Sequence, residues 1–295
     1  MWILCALVSA LCLGFYDVFK KLSVKGNNVT VVLMLNTLFQ TILMSPVLIR
    51  ELSAGSFGLG DTVHGHLLIL LKAIIVLTSW LLGYFAIKHL PLTIQGPINA
   101  SRPVMVLVGA LLIFGERLNF IQWCGIILGF ASLYFISRIG SKEGFSFRHS
   151  QWLWMAIGAT VCGAVSALYD KYLLQSFTPL DVQAWYSLYQ CIIMTATLFL
   201  LRQLSPATSA EAGKFHWTWT IPFISVFLTV ADLAYFYSLS IDGAMISIVS
   251  MVRRGSVIVP FIYGVAILHE KNVKAKVVDL SLLFVSLLLL IIGSH

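Results

Sequence analysis

Charge is what this chain has least of. Asp, Glu, Lys and Arg supply 11% of its 295 residues, against about 25% in a soluble globular protein. So few polar groups could not cover the surface of a folded soluble domain, and that class is excluded. Cysteine is sparse as well. Cys5, Cys12, Cys124, Cys162 and Cys191 all lie in apolar runs without a CxxC pair, so they read as small buried hydrophobes. His64 and His66 read as members of a polar loop without acidic or cysteine partners, and no metal site is expected there. The stretch GSFGLGD at 55–61 lacks the Lys-Ser/Thr of a phosphate loop. No HExxH, GxSxG or pair of deep carboxylates occurs, so an intramembrane enzyme would lack its base, nucleophile or metal cluster. No cofactor is expected, and the chain is not read as an enzyme.

What is abundant is apolar sequence: 59% of residues are hydrophobic. Runs long enough to cross about 30 Å of hydrocarbon recur at 2–20, 29–49, 67–87, 91–114, 119–137, 152–173, 181–201, 218–240, 244–268 and 275–293. They are too long for strands and show no two-residue alternation. The expected fold is therefore an all-α integral membrane protein of ten transmembrane helices. Turn residues and charges separate the runs, and Trp2, Trp152, Trp154, Trp217 and Trp219 stand near span ends, where indoles prefer the interface. The net charge of +7 needs no nucleic acid, since lysine and arginine between the spans suit anionic lipid. The expected partners are the lipid bilayer and a small-molecule substrate, with monomer and homodimer both open.

The chain repeats itself. SALCLGFYD at 9–17 resembles CGAVSALYD at 162–170, so Asp17 and Asp170 fall at the same place in each half. GERLN at 115–119 aligns with HEKNV at 269–273, placing Glu116 opposite Glu270, and Tyr84-Phe85 has its counterpart in Tyr235-Phe236. The expected domains are 1–144 and 145–295, five spans each. Five is odd, so the second unit enters the membrane inverted, a pattern common in secondary transporters. The paired YD ends and the run GERLNFIQWCGIILG at 115–129 resemble the EamA-type branch of the drug/metabolite transporter superfamily. The resemblance covers nearly the whole chain, although HEKNVKAKVVDLSLLFVSLLLL lacks the glycines of its first-half equivalent. It implies a carrier in the cytoplasmic membrane with both termini inside. Loop charges imply the reverse. Alternate loops from the first carry 12 lysines and arginines, and the other set carries 4 (Arg50, Lys72, Arg117 and Lys171), which places the termini outside.

Three arginines lie deep in spans. Arg253 and Arg254 stand about ten residues into span nine and Arg102 about eleven into span four. A mid-bilayer arginine costs roughly 2.5–3.5 kcal/mol on insertion scales, so each should face protein or a wet cavity. Neighbours on a helix diverge by about 100°; one of Arg253 and Arg254 is expected to face a central cavity and the other to pair with Asp232 of span eight. Gln95, Asn99 and Arg102 share one face of span four, which Pro97 and Pro103 are expected to interrupt. That face reads as a cavity wall, with helix–helix glue as the alternative. Span seven offers Trp185, Tyr186, Tyr189 and Gln190, and span two offers Asn36 and Gln40. These suit a flat or cationic group, or ordinary packing. Tyr235 is a further candidate beside the arginines. Asp17 and Asp170 could gate or carry a proton, or pair with Lys20 or Lys21 and with Lys171 or another nearby base. Surplus guanidinium favours a substrate with carboxylate or phosphate. The expected function is secondary transport of a small polar metabolite, such as an amino acid or organic acid, by alternating access. Efflux of lipophilic cations is the alternative, and a receptor or assembly subunit without transport a remote one.

Overall fold

A helix that must sit in hydrocarbon satisfies its own backbone and turns its large apolar side chains outward to lipid. The helices of this chain follow that rule. The computed structural model describes residues 1–24, 27–53, 59, 63–89, 98, 101–139, 151–204, 215–259, 262–263 and 273–293. Among them are ten α-helices and no strand: α1 (Trp2–Val24), α2 (Val29–Ser53), α3 (Val63–His89), α4 (Arg102–Ile113), α5 (Phe120–Ile139), α6 (Gln151–Leu173), α7 (Pro179–Leu204), α8 (Thr220–Ser240), α9 (Ile246–Arg254) and α10 (Val273–Ile292). At 1.5 Å per residue the 23 residues of α1 reach about 35 Å. Among the described residues, α1, α2, α3, α6 and α8 are long and apolar enough to cross a membrane, and α4 and part of α5 are shorter apolar helices.

The helices meet through small residues. On α1, Leu4, Val8, Leu11 and Phe15 are exposed, while Ala6, Ser9 and Ala10 are buried. That buried face packs on α8, where Ser9 donates its hydroxyl to the Ala231 carbonyl at 2.6 Å. The contact of α3 with α6 is built alike, Ser79 donating to the Ala159 carbonyl at 2.7 Å. Helix α5 packs on α10 through Gly125 and Gly129. A Cβ on Gly129 would stand 2.7 Å from the Ser286 hydroxyl, and that hydroxyl donates to the Gly125 carbonyl at 2.6 Å. The glycines missing from the last span are thus not needed there: one helix supplies the gap and its neighbour the side chains that fill it. Further contacts join α2 to α7 and α8, α3 to α7, α4 to α6 and α9, and α1 to α9.

Span nine departs from the single long helix expected over 244–268. Helix α9 ends at Arg254, and Gly255–Val257 form a 3₁₀ turn. The two arginines therefore occupy the last turn of a short helix, where the negative end of the helix dipole favours cations. Pro103 also differs from expectation, standing in the first turn of α4 rather than inside it. A proline there forfeits little, because its missing N–H has no intrahelical partner to lose. Pro97 lies outside the described residues. His64 and His66 belong to α3, not to a loop. Hydropathy marks where the apolar run begins, whereas the helix starts before it.

A tight turn joins α4 to α5, and Gly115 takes φ +61° in it, a left-handed conformation that glycine adopts without steric penalty. The turn aims Glu116 at the start of α9. Its carboxylate accepts the Ile246 N–H at 2.6 Å, the Ser247 N–H at 3.2 Å and the Ser247 hydroxyl. Lys171, from the last turn of α6, donates to the same carboxylate at 2.7 Å and to the Ala244 carbonyl at 2.9 Å. Glu116 thus caps α9, as a carboxylate at a helix N-terminus should.

Candidate substrate cavity

Where α1, α3, α4, α6, α7, α8 and α9 face each other they leave a cavity of about 270 Å³. Among the described residues its wall carries five cations, Lys20, Lys72, Arg102, Arg253 and Arg254, against two carboxylates, Asp170 and Asp232. Two of the cations are neutralised locally. Arg253 donates to Asp232 at 3.0 Å and lies 4.1 Å over the Tyr235 ring. Lys72 donates to Asp170 in a pair with relative side-chain exposures of 2% and 9%. The Lys72 ammonium also sits 4.0 Å from the Phe236 ring and 4.6 Å from that of Tyr186, so aromatic faces share the work of holding a buried charge.

Arg102 is held differently. Its guanidinium lies on Gly163 and donates to the Gly163 carbonyl at 2.7 Å. A side chain at position 163 would occupy the same space. Arg254 has no carboxylate partner within ion-pair distance among the described residues, and its Nε has no hydrogen-bond partner there. Arg102 and Arg253 are both near enough to repel it. Lys20 stands exposed at the cavity edge, 5.4 Å over the Tyr16 ring.

Of the residues singled out in the sequence, Arg102, Arg253, Arg254, Tyr235, Asp232 and Asp170 line the cavity. Arg253 and Arg254 do not split into one cavity residue and one paired residue: both line the cavity and Arg253 is also the partner of Asp232. At the end of a short helix two long side chains can reach one space from adjacent positions. Asp170 pairs with Lys72, not with Lys171, which is turned to Glu116 instead. Lys72 is correspondingly not a loop residue but a buried member of α3. Asp17 does not line the cavity, but acts electrostatically on Lys20 and Arg254. Gln95 and Asn99 lie outside the described residues.

The aromatic and amide candidates of spans two and seven, Tyr186 excepted, do not line the cavity. Asn36 is buried between α2 and α8, where its Oδ1 accepts from the Ser225 hydroxyl at 3.0 Å. Gln40 and Gln190 are likewise buried in the helix packing. Trp185 and Tyr189 form a separate cluster with Glu51 and His66. The Trp185 indole donates to Glu51 Oε2 at 2.8 Å. The Tyr189 hydroxyl meets His66 Nδ1 at 2.9 Å, and the His66 ring stands edge-on to Trp185 at 4.5 Å. Trp185→Phe removes that donor from a buried carboxylate. It should lower stability by about 1–3 kcal/mol, read as a fall in melting temperature in detergent.

Lys20, Lys72 and Trp80 are cavity residues that sequence reasoning missed. For Lys72 the signal was present: LLKAII places one lysine inside an apolar run, the same pattern that singles out the arginines.

Comparison with known proteins agrees with this architecture. Residues 1–138 match the EamA-like transporter family. A protein of Archaeoglobus fulgidus called an uncharacterized transporter is 25% identical over 193 residues, 65% of this chain and 66% of that protein. This chain thus spans just under two thirds of the length of that relative. A solved crystal structure superposes with TM-score 0.69 over 97% of this chain and 94% of that one, at 12% identity; the likeness is one of fold. The family resemblance read from the sequence is borne out over residues 1–138, which match the EamA-like transporter family, and the apolar helices mark a multi-pass membrane protein.

Proposed function

We propose that the protein is a secondary carrier of the cytoplasmic membrane, moving a small polar metabolite that bears a carboxylate or phosphate. Amino acids and organic acids are the compounds in view. The observation that carries this reading is the wall of the cavity, where among the described residues cations outnumber carboxylates five to two. A cavity selecting lipophilic cations would carry the opposite balance. Guanidinium forks match the oxygen pairs of carboxylate and phosphate.

Two inverted units, 1–144 and 145–295, are proposed to rock about the cavity in alternating access. The pattern of helix contacts supports this. Exchanging α1–α5 with α6–α10 turns the α1–α8 contact into α6–α3, the α3–α7 contact into α8–α2 and the α4–α6 contact into α9–α1, all of which occur. Contacts α2–α7, α4–α9 and α5–α10 map onto themselves. The serine-to-carbonyl bonds of Ser9 and Ser79 join helix pairs related by the same exchange.

Uptake into liposomes holding the purified protein tests the carrier. Labelled amino acids, organic acids, phosphate compounds and a lipophilic cation such as tetraphenylphosphonium would be compared. Saturable uptake of an anionic or zwitterionic compound is expected. Saturable uptake of the cation alone would restore drug efflux as the better reading. A second expectation concerns Gly163. A Cβ there would lie 2.7 Å from Arg102 Cζ. The far end of a flexible side chain can move aside, so Gly163→Ala should fold normally while displacing the guanidinium. An increase of about tenfold in the apparent KM for the transported anion is expected, the value of one charge-assisted hydrogen bond.

A further inference from the structure

The charges around the cavity do not balance, and the imbalance has a size. Once Lys72 is assigned to Asp170 and Arg253 to Asp232, the remaining cations of the wall are Lys20, Arg102 and Arg254. Asp17, just outside the wall, is the carboxylate that acts on both Lys20 and Arg254. Among the described residues, three cations against one carboxylate leave an excess of two. Lys21, the next charge along α1, is itself a cation and cannot lower the excess.

An excess of this kind is costly away from bulk water, because unpaired charge in a low-dielectric site is penalised in proportion to how much of it stays uncompensated. A zwitterion brings no net charge and leaves the excess whole. A monoanion leaves one charge over. A species with two negative charges removes it. The donors also suit such a ligand: Arg254 offers a buried Nε without a partner among the described residues, and Arg102 is oriented by its bond to the Gly163 carbonyl. Lys20 waits at the exposed edge, where a cation attracts anions toward the opening. A cavity of about 270 Å³ lies below the range of roughly 300–1,000 Å³ that holds drug-sized ligands.

We infer that the substrate is a small dianion, a dicarboxylate or a phosphate monoester, held with its two negative charges between Arg102, Arg254 and Lys20. The inference narrows the carrier reading of the same cavity and rests on it.

Matched pairs that differ by one charge test it: succinate against monomethyl succinate, and sn-glycerol 3-phosphate against its methyl diester. Alanine serves as the zwitterion. Binding to the purified full-length protein would be titrated calorimetrically, and flux measured in liposomes. At least one dianion should bind about tenfold or more tightly than its own monoanionic ester, and alanine should be weaker still. The successful pair distinguishes carboxylate from phosphate. Arg254→Gln should bring dianion and ester to nearly equal affinity. Lys20→Gln, on an exposed side chain with little bearing on folding, should narrow the gap by a smaller factor. Equal affinity for ester and dianion, or tightest binding of alanine, overturns the dianion and leaves the carrier standing. Selective dianion binding without flux supports the dianion and sinks the carrier.

Discussion

Arg254→Gln should reduce kcat/KM for the transported anion by about a hundredfold, which corresponds to roughly 2.7 kcal/mol. That is the scale on which a buried, hydrogen-bonded charge contributes to anion recognition. The same substitution should raise, not lower, the melting temperature of the ligand-free protein. The parent holds Arg254 beside Arg102 and Arg253, which repel it more than Asp17 attracts it, and no carboxylate lies within ion-pair distance of it among the described residues. Removing the charge relieves that repulsion. Lost transport with gained stability is the signature of a binding residue under strain. Transport equal to the parent's would show that the substrate does not meet this wall. Arg254→Lys should fall between the two, keeping the charge but losing the planar fork.

Lys72→Met should destabilise the fold more than any of the other substitutions. It strands Asp170, which is almost wholly buried, and breaking one side of a buried pair costs about 3–5 kcal/mol. Lys72→Met combined with Asp170→Leu should recover most of that loss, because the desolvation of both charges disappears together. Thermal melting of the parent, the single and the double variant measures this directly. A double variant no more stable than the single one would mean that the Phe236 and Tyr186 rings, not Asp170, provide the main support for the lysine. Transport by the double variant separates a purely structural pair from one that opens during the cycle.

The family and the apolar helices are legible in the sequence because their signals are long: runs of around twenty apolar residues survive any error at their ends. The arginines are legible for a related reason, since a guanidinium far from both ends of a span has few places to go. Lys72 carries the same signal but reads as a loop charge, because the apolar run of span three starts at residue 67 while the helix begins at Val63. A charge near the apparent start of a span looks like a loop residue. The cluster of Trp185 and Tyr189 marks a different limit. Polar and aromatic spacing on a helix shows that a face avoids lipid, but not whether it meets a cavity or a neighbour such as Glu51. The early end of α9 is illegible for a third reason. Gly255, Ser256 and Pro260 in MISIVSMVRRGSVIVP are breaker residues, but single ones inside an apolar run do not show whether a helix ends or only bends, and the turn at Gly255 is read from backbone geometry.

The Lys72–Asp170 pair also sets an order of events during synthesis. Its two members are 98 residues apart, and at 5–20 residues per second the ribosome needs about 5–20 s to cover that distance. For that interval α3 is made and its lysine has no carboxylate to meet. Arg102 waits in the same way for Gly163, 61 residues further on. Until α6 emerges neither charge has the partner it takes in the folded protein, and a chain stopped before residue 170 is expected to be held at the insertion machinery, or degraded, rather than released into lipid.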